Sequence, residues 1–345
     1  MRVAVVILNW NGKSFLEKFL PSLFNSLPDY AELIIADNAS TDGSAEASTL
    51  NDRIQWIQLD KNYGFTGGYN RAFAQIKKQA EYNYYVLINS DILAIDRWLE
   101  PIVDFMESHP EVAACQPKIL SYNHHQEGIE QFEYAGASGG FIDKWGFPLC
   151  RGRILSSVEN DCGQYDTPSR CFWASGACMV VRTSIWHLLS GLEEKFFAHM
   201  EEIDFCWRAA NAGYQVWCLP QSKVYHVGGG TLPNNSPRKL YLNYRNNLLM
   251  LWKNLPKKHR NTKIFLRKCI DGLSAVCYIF QGKFSYFKSV MKAHRDYSRM
   301  KGETELSPSP SPSASESKKQ ALPYGMLPFS IILKFFTGHK KFSQL

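Results

Sequence analysis

An α/β fold, with a mostly parallel sheet flanked by helices, follows from two features of the first third of the chain. Short apolar runs alternate with amphipathic, helix-like stretches, and each run is followed at once by Asn, Asp or Gly. The alternation predicts helices on both faces of a parallel sheet. The polar residues after each run fall at the carboxyl ends of the strands, where sheets of this kind bind ligands. Residues 3–8 read as the first strand, bounded by Asn11-Gly12. Ser14 and Glu17 suit a capping box for a helix whose face is Phe15, Phe19, Leu20, Leu23 and Leu27, and Pro21 predicts a kink or break in it. Residues 33–36, 54–59 and 84–88 are the next three strands, with helices between them.

Asn9, Asp37, Asn38, Asn62, Asn89, Ser90 and Asp91 then share one rim and line one cleft. Asn, Asp and Gly also favour turns for their own sake, so any single position has an ordinary explanation. The four strand ends taken together are what point to a site.

From residue 237 the character changes. Helices are expected over 241–255, 264–280 and 286–300, then a Ser-Pro repeat reads as a linker. The resulting organisation is 1–236, a catalytic-sized α/β domain; 237–302, a basic helical extension; 303–323, a Ser/Pro-rich linker; and 324–345, an amphipathic tail. Residues 328–336 of the tail are too few to span a bilayer; they suit an interfacial anchor or a segment packed back on the protein.

Composition narrows the class. Apolar content of 45% with 21% charged residues fits a folded globular chain rather than a disordered one. The nine cysteines are scattered with no C-x-x-C pair, which argues against a disulfide framework or a zinc site and for reduced thiols in a cytoplasmic protein. No uncharged stretch reaches the length of about 18 residues that a transmembrane helix needs. Residues 238–301 hold 16 Lys/Arg against Asp271 and Asp296 alone, although the whole chain is only +7. Such a block attracts an anionic membrane surface or nucleic acid.

Three segments carry candidate chemistry. Asp37, in Asp37-Asn38-Ala39-Ser40-Thr41-Asp42-Gly43, can accept hydrogen bonds from a base edge or a ribose hydroxyl. Asn62-Tyr63-Gly64-Phe65-Thr66-Gly67-Gly68-Tyr69-Asn70 is a Gly-rich entry to a helix, suited to close approach by an anionic ligand. It matches neither the Walker loop nor the G-x-G-x-x-G spacing. Asp91, ending Asn89-Ser90-Asp91, can hold Mg²⁺ or Mn²⁺ against a diphosphate, because these ions prefer a carboxylate with phosphate oxygens and water.

These pieces, in this order and after Val5-Val6-Ile7-Leu8-Asn9-Trp10-Asn11-Gly12, resemble the family 2 glycosyltransferases of GT-A fold, in particular the rhamnosyltransferase-like branch. The resemblance runs to about residue 255. It implies that Asp37 holds a uracil or thymine nucleoside, with Asn9, Asn38, Asn62, Gly64, Gly67, Gly68, Asn70 and Asn89 around the nucleotide-sugar. Asp91 then stands for the last Asp of the D-x-D metal motif, whose first position is Asn89 here. His199-Met200-Glu201-Glu202-Ile203-Asp204 resembles the family's Glu-Asp motif, which places the base that deprotonates the acceptor at Glu202, with Glu201 beside it. Trp173-Ala174-Ser175-Gly176-Ala177-Cys178-Met179 resembles the small-residue lining of the cleft. Val224-Tyr225-His226-Val227-Gly228-Gly229-Gly230-Thr231 resembles a late segment whose His, His226 here, reaches metal or pyrophosphate, and Arg245 stands where a phosphate contact often follows.

The resemblance therefore implies an inverting, non-processive transferase. It would move one sugar from a UDP- or dTDP-linked donor to a glycan or lipid-linked glycan in cell-surface polysaccharide assembly. The location implied is cytoplasmic, peripheral on the inner face of the membrane, with no nucleic-acid partner. Two other classes are a non-catalytic sugar- or nucleic-acid-binding protein and a glycoside hydrolase. The hydrolase needs carboxylates opposed across the scissile bond, which adjacent helical residues do not provide.

Overall fold

The structure, a computed structural model, describes residues 1–45, 53–228, 236–304 and 323–345. The N-terminal apolar run forms β1 (Val3–Asn9), followed by α1 (Lys13–Asn25), β2 (Ala31–Asp37), β3 (Gln55–Gln58), α2 (Gly64–Gln79) and β4 (Tyr84–Ile88). The four strands pair in parallel in the order β3-β2-β1-β4. Val3, Val5 and Ile7 enter one core while Ala4 and Val6 enter the other, the period-two division of a strand buried on both faces. Leu16, Leu20 and Leu23 of α1 cover the first face; Tyr69, Ala72, Phe73 and Ile76 of α2 cover the second.

The start of α1 differs from expectation. Gly12, not Ser14, precedes its first turn and supplies no side-chain cap. The orphaned backbone N–H of Lys13 is instead satisfied across the rim by Asp42 Oδ2 at 2.9 Å. The helix also runs through Pro21, whose ring is exposed to solvent, and Leu16 rather than Phe15 is buried.

Beyond β4 come β5 (Ile92–Ala94), α3 (Glu100–Ser108), β6 (Val112–Ser121), α4 (Tyr122–Gln126), β7 (Gly140–Asp143), β8 (Pro148–Cys150), β9 (Arg153–Ile154) and β10 (Ser157–Val158). The chain continues with β11 (Ser169–Cys171), β12 (Cys178–Arg182), α5 (Thr183–Leu188), α6 (Glu201–Asn211) and β13 (Gln215–His226). Here the main sheet becomes mixed. β12 lies antiparallel between β4 and β6, and β13 runs parallel to β6 but antiparallel to β11 and β5. The last pairing matters most for the site: in the β13–β5 register His226 faces Ile92, and the Val227 N–H donates to Asp91 O at 3.1 Å.

Three helices follow: α7 (Pro237–Asn254), α8 (Lys257–Phe280) and α9 (Phe284–Met300). Fully buried Asp204 of α6 ties α7 to the sheet domain, accepting from Asn254 Nδ2 (2.7 Å) and Lys253 Nζ (3.2 Å) as well as from Arg208 Nε of its own helix (2.8 Å). The Ser-Pro repeat lies outside the described residues. The tail packs back on the body. Its β14 (Met326–Leu327) extends the small β7–β10 sheet, and the Ile331 N–H at the start of α10 (Ile331–Phe336) donates to Asp143 Oδ2 at 2.9 Å. Among the described residues no helix is long and apolar enough to cross a membrane, and all nine cysteines are free thiols, six of them buried.

Candidate active site

A cavity of about 550 Å³ opens at the carboxyl ends of β1, β2 and β4. It gathers Asn38, Asn62, Gly64, Asn89, Ser90, Asp91, Glu201, Glu202 and His226 from the expected set. Asn9 and Asp37 lie just beneath it, both buried. The Asp37 carboxylate accepts from Asn9 Nδ2 (2.8 Å), the Ser40 N–H (2.8 Å) and Gln58 Nε2 (3.0 Å), so it is held in place by three donors. Asn38 accepts from the Tyr63 N–H and donates to Gly64 O, which fixes the Gly-rich turn against the rim.

Gly67, Gly68, Asn70 and Arg245 lie outside the cavity lining. A Cβ on Gly68 would stand 2.6 Å from Leu8 Cδ2, so that glycine lets α2 sit close on β1. Asn70 brackets Leu192, donating to its carbonyl and accepting from its N–H.

One corner of the cavity concentrates charge. His226 Nε2 is 3.1 Å from Asp91 Oδ1, and the other Asp91 oxygen accepts the Gly228 N–H at 3.2 Å. Asn89 Nδ2 is 3.3 Å from the same His226 nitrogen. Glu133 approaches from the far side, 3.5 Å from His226 Nδ1, near enough for attraction but without hydrogen-bond geometry. Burial opposes charging of His226, yet the Asp91 and Glu133 carboxylates outweigh it and push its pKa up to about 10. The Asp91 carboxyl is lowered in turn: burial works against ionisation and the His226 charge overcomes it. Gly229, Gly230 and Thr231 lie outside the described residues.

The opposite wall carries the two glutamates at the start of α6. Glu201 is buried and Glu202 is partly exposed to the cavity; Oε2 of each lacks a hydrogen-bond partner. Burial pushes Glu202 up to about 7. Glu201 is raised further by burial and by the neighbouring Glu202 charge.

The backbone leading into α6 is strained. Phe197, His199 and Met200 have φ of 67°, 71° and 73°, a region that non-glycine residues occupy at a cost. Asn246 Nδ2 holds this segment by donating to the carbonyls of Phe196, Ala198 and His199, at 2.9, 2.8 and 2.8 Å. Arg245 Nη2 adds bonds to Lys195 O and Phe196 O. The side chain expected to meet phosphate is thus directed at backbone. We expect Asn246→Ala to take the donor from the Ala198 and His199 carbonyls, while Phe196 O keeps Arg245, and to cost about 2–4 kcal/mol. A melting curve of the variant without ligand checks this.

Known proteins resemble this chain in sequence and in fold. Residues 4–154 fit the family model described as Glycosyl transferase family 2. The match covers the N-terminal part of the chain, just under half of its length. A low-salt glycan biosynthesis hexosyltransferase, Agl10, of Haloferax volcanii is 24% identical over 292 residues, covering 82% of this chain and 87% of that protein. An N-acetylglucosaminyl-diphospho-decaprenol L-rhamnosyltransferase of Mycobacterium tuberculosis is 23% identical over 230 residues, covering 64% and 75%. The structure of S. aureus TarS 1-349 in complex with UDP-GlcNAc shares the fold, with a TM-score of 0.55 at 17% identity over 86% of this chain and 80% of that one. The structural likeness shows a GT-A fold, and the relatives support a glycosyltransferase enzyme.

Three groups of this glycosyltransferase's cleft were missed by sequence reasoning. Glu133 comes from the connection after β6, where no motif marks it. Arg238 and Lys239 line the cavity from the first turn of α7. The basic run was legible, but which of its members face the site was not. Asn246 stood beside Arg245 in the sequence and its amide reach was not anticipated.

Proposed function

We propose that the enzyme transfers a single sugar, with inversion, from a UDP- or dTDP-linked donor to a hydroxyl of a glycan or lipid-linked glycan. The work would be done at the cytoplasmic face of the membrane in cell-surface polysaccharide assembly. The observation that carries this reading is Glu202: a partly exposed carboxylate, unpartnered at Oε2 and raised to about 7, in the same cavity as Asp91 and His226. An inverting transfer needs one base to take the acceptor proton, and a base works best when its pKa lies near the working pH. Glu201 beside it is more deeply buried, and burial with the neighbouring Glu202 charge raises it well above the ordinary carboxylate range.

Asp37, Asn38 and Asn62 support the reading at the nucleoside end, and the cationic Arg238 and Lys239 support it where a diphosphate would lie. Among the described residues no three His, Cys, Asp or Glu side chains are grouped to enclose a metal by themselves. Asp91 and His226 nonetheless offer a carboxylate and an imidazole side by side, the sparse protein contribution expected when substrate phosphates and water complete the shell. Mg²⁺ or Mn²⁺ held there would neutralise charge on the departing nucleotide. A hydrolase is disfavoured because both glutamates enter from one helical turn rather than facing each other.

A thermal-shift screen of UDP-, dTDP- and GDP-sugars, with and without Mn²⁺ or Mg²⁺, tests the donor. UDP- or dTDP-sugars should raise the midpoint by several degrees in the presence of metal, since ligand at about 100 times its Kd adds about 2.7 kcal/mol. No shift with any of them, alongside release of free sugar to water, would sink the proposal.

A further inference from the structure

We infer that the exposed face of α8 is a docking surface for an anionic lipid bilayer. The helix buries three charged side chains alongside Ile264 and Ala275. Its buried stripe includes Arg260, Arg267 and Asp271, while its solvent side presents Phe265, Leu266, Leu273, Val276 and Phe280. Phe265, Leu273 and Phe280 are 66%, 68% and 86% exposed. At 100° per residue, the side chains from Phe265 through Cys269, Leu273, Val276 and Cys277 to Phe280 form one stripe about 22 Å long, and no charged residue interrupts it. Phe284, 59% exposed, continues the apolar surface past the turn into α9. An uninterrupted apolar ridge of this length marks an interaction surface rather than ordinary surface scatter.

Charge identifies the occupant. Asp271 and Asp296 are the only acids between Lys257 and Lys301, and both are buried and paired, with Arg267 and Lys292 respectively. The outward charge of α8 and α9 is therefore wholly positive, carried by Lys257, Lys258, Lys283, Lys288, Arg295 and Arg299. A second copy of this chain would bring like charges together. Nucleic acid would satisfy the lysines but offers nothing to Leu273 and Val276. A bilayer of anionic lipids satisfies both, with the apolar stripe below the headgroups and the lysines at them.

The inference builds on the proposed lipid-linked acceptor, which such docking would bring to the cavity. Its test reads vesicle binding rather than transfer, so the two can fail separately. The full chain is sedimented with vesicles of equimolar phosphatidylglycerol and phosphatidylcholine, and with phosphatidylcholine alone. We expect binding to the anionic vesicles that weakens as salt rises, and little to the neutral ones. The Leu273→Gln/Phe280→Gln variant, whose changes lie on the surface, should bind about tenfold more weakly or less. Its thermal shift with donor nucleotide-sugar should equal that of the parent. Undiminished vesicle binding by the variant overturns the assignment. So does a parent that stays off anionic vesicles at low salt, or a parent dimer that the variant converts to monomer in light scattering.

Discussion

Replacing Glu202 by Gln should reduce sugar transfer about a thousandfold while making the protein more stable at pH 8. The first effect is the loss of the base, whose contribution is typically about 10²–10⁴. The second follows from burial. The folded-state pKa of Glu202 is raised to about 7 from an ordinary carboxylate value. Between the ordinary value and about 7, the folded protein holds a proton that the unfolded chain has released. Stability therefore falls as pH rises through that window, and the penalty is complete above it. Gln carries no such penalty, so the variant should gain on the order of 2 kcal/mol at pH 8 and nothing near pH 4. In the parent, kcat/KM should rise with pH up to about 7 and then level off. Melting curves at the two pH values and a pH–rate profile check the set. Retained transfer in the variant would move the base elsewhere, with Glu201 the next to test.

The second large effect is expected at Asp91. Asp91→Ala should abolish metal-dependent turnover and metal binding together, whereas Asn89→Ala should weaken binding by about tenfold. Asp91 is the carboxylate nearest His226, and its other oxygen holds the Gly228 N–H, so its loss removes both a metal donor and a tether of the loop after β13. Asn89 touches only the imidazole edge, at 3.3 Å. Mn²⁺ titration by calorimetry or electron paramagnetic resonance reads the metal directly, without relying on activity. Equal binding in the two variants would remove Asp91 from its assigned place.

Much of this was legible locally. Strand–helix alternation located β1 to β4, with β4 matched residue for residue, because apolar period and turn residues are written in neighbouring positions. The same locality placed Asn38, Asn62, Asn89 and Asp91 on one rim, since residues that end adjacent parallel strands must emerge on the same edge. The Glu201-Glu202 pair was found through its resemblance to a family motif rather than through periodicity.

What the tertiary structure alone decided involves partners distant in the chain. The β13–β5 register brings His226 onto Asp91, and Glu133 joins them from a segment without any motif. The expectation for Arg245 is a phosphate contact, but it and its neighbour Asn246 bond backbone carbonyls of the segment before α6, an arrangement set by how α7 packs. The antiparallel entry of β12 and the return of the tail to β7 belong to the same class. By itself the sequence determined the strands and their polar ends, because each is a pattern of near neighbours, whereas the outward turn of the apolar side of α8 was set by packing. Which side chains meet across the cleft depends on register and packing between segments far apart in the chain, and that no local periodicity encodes.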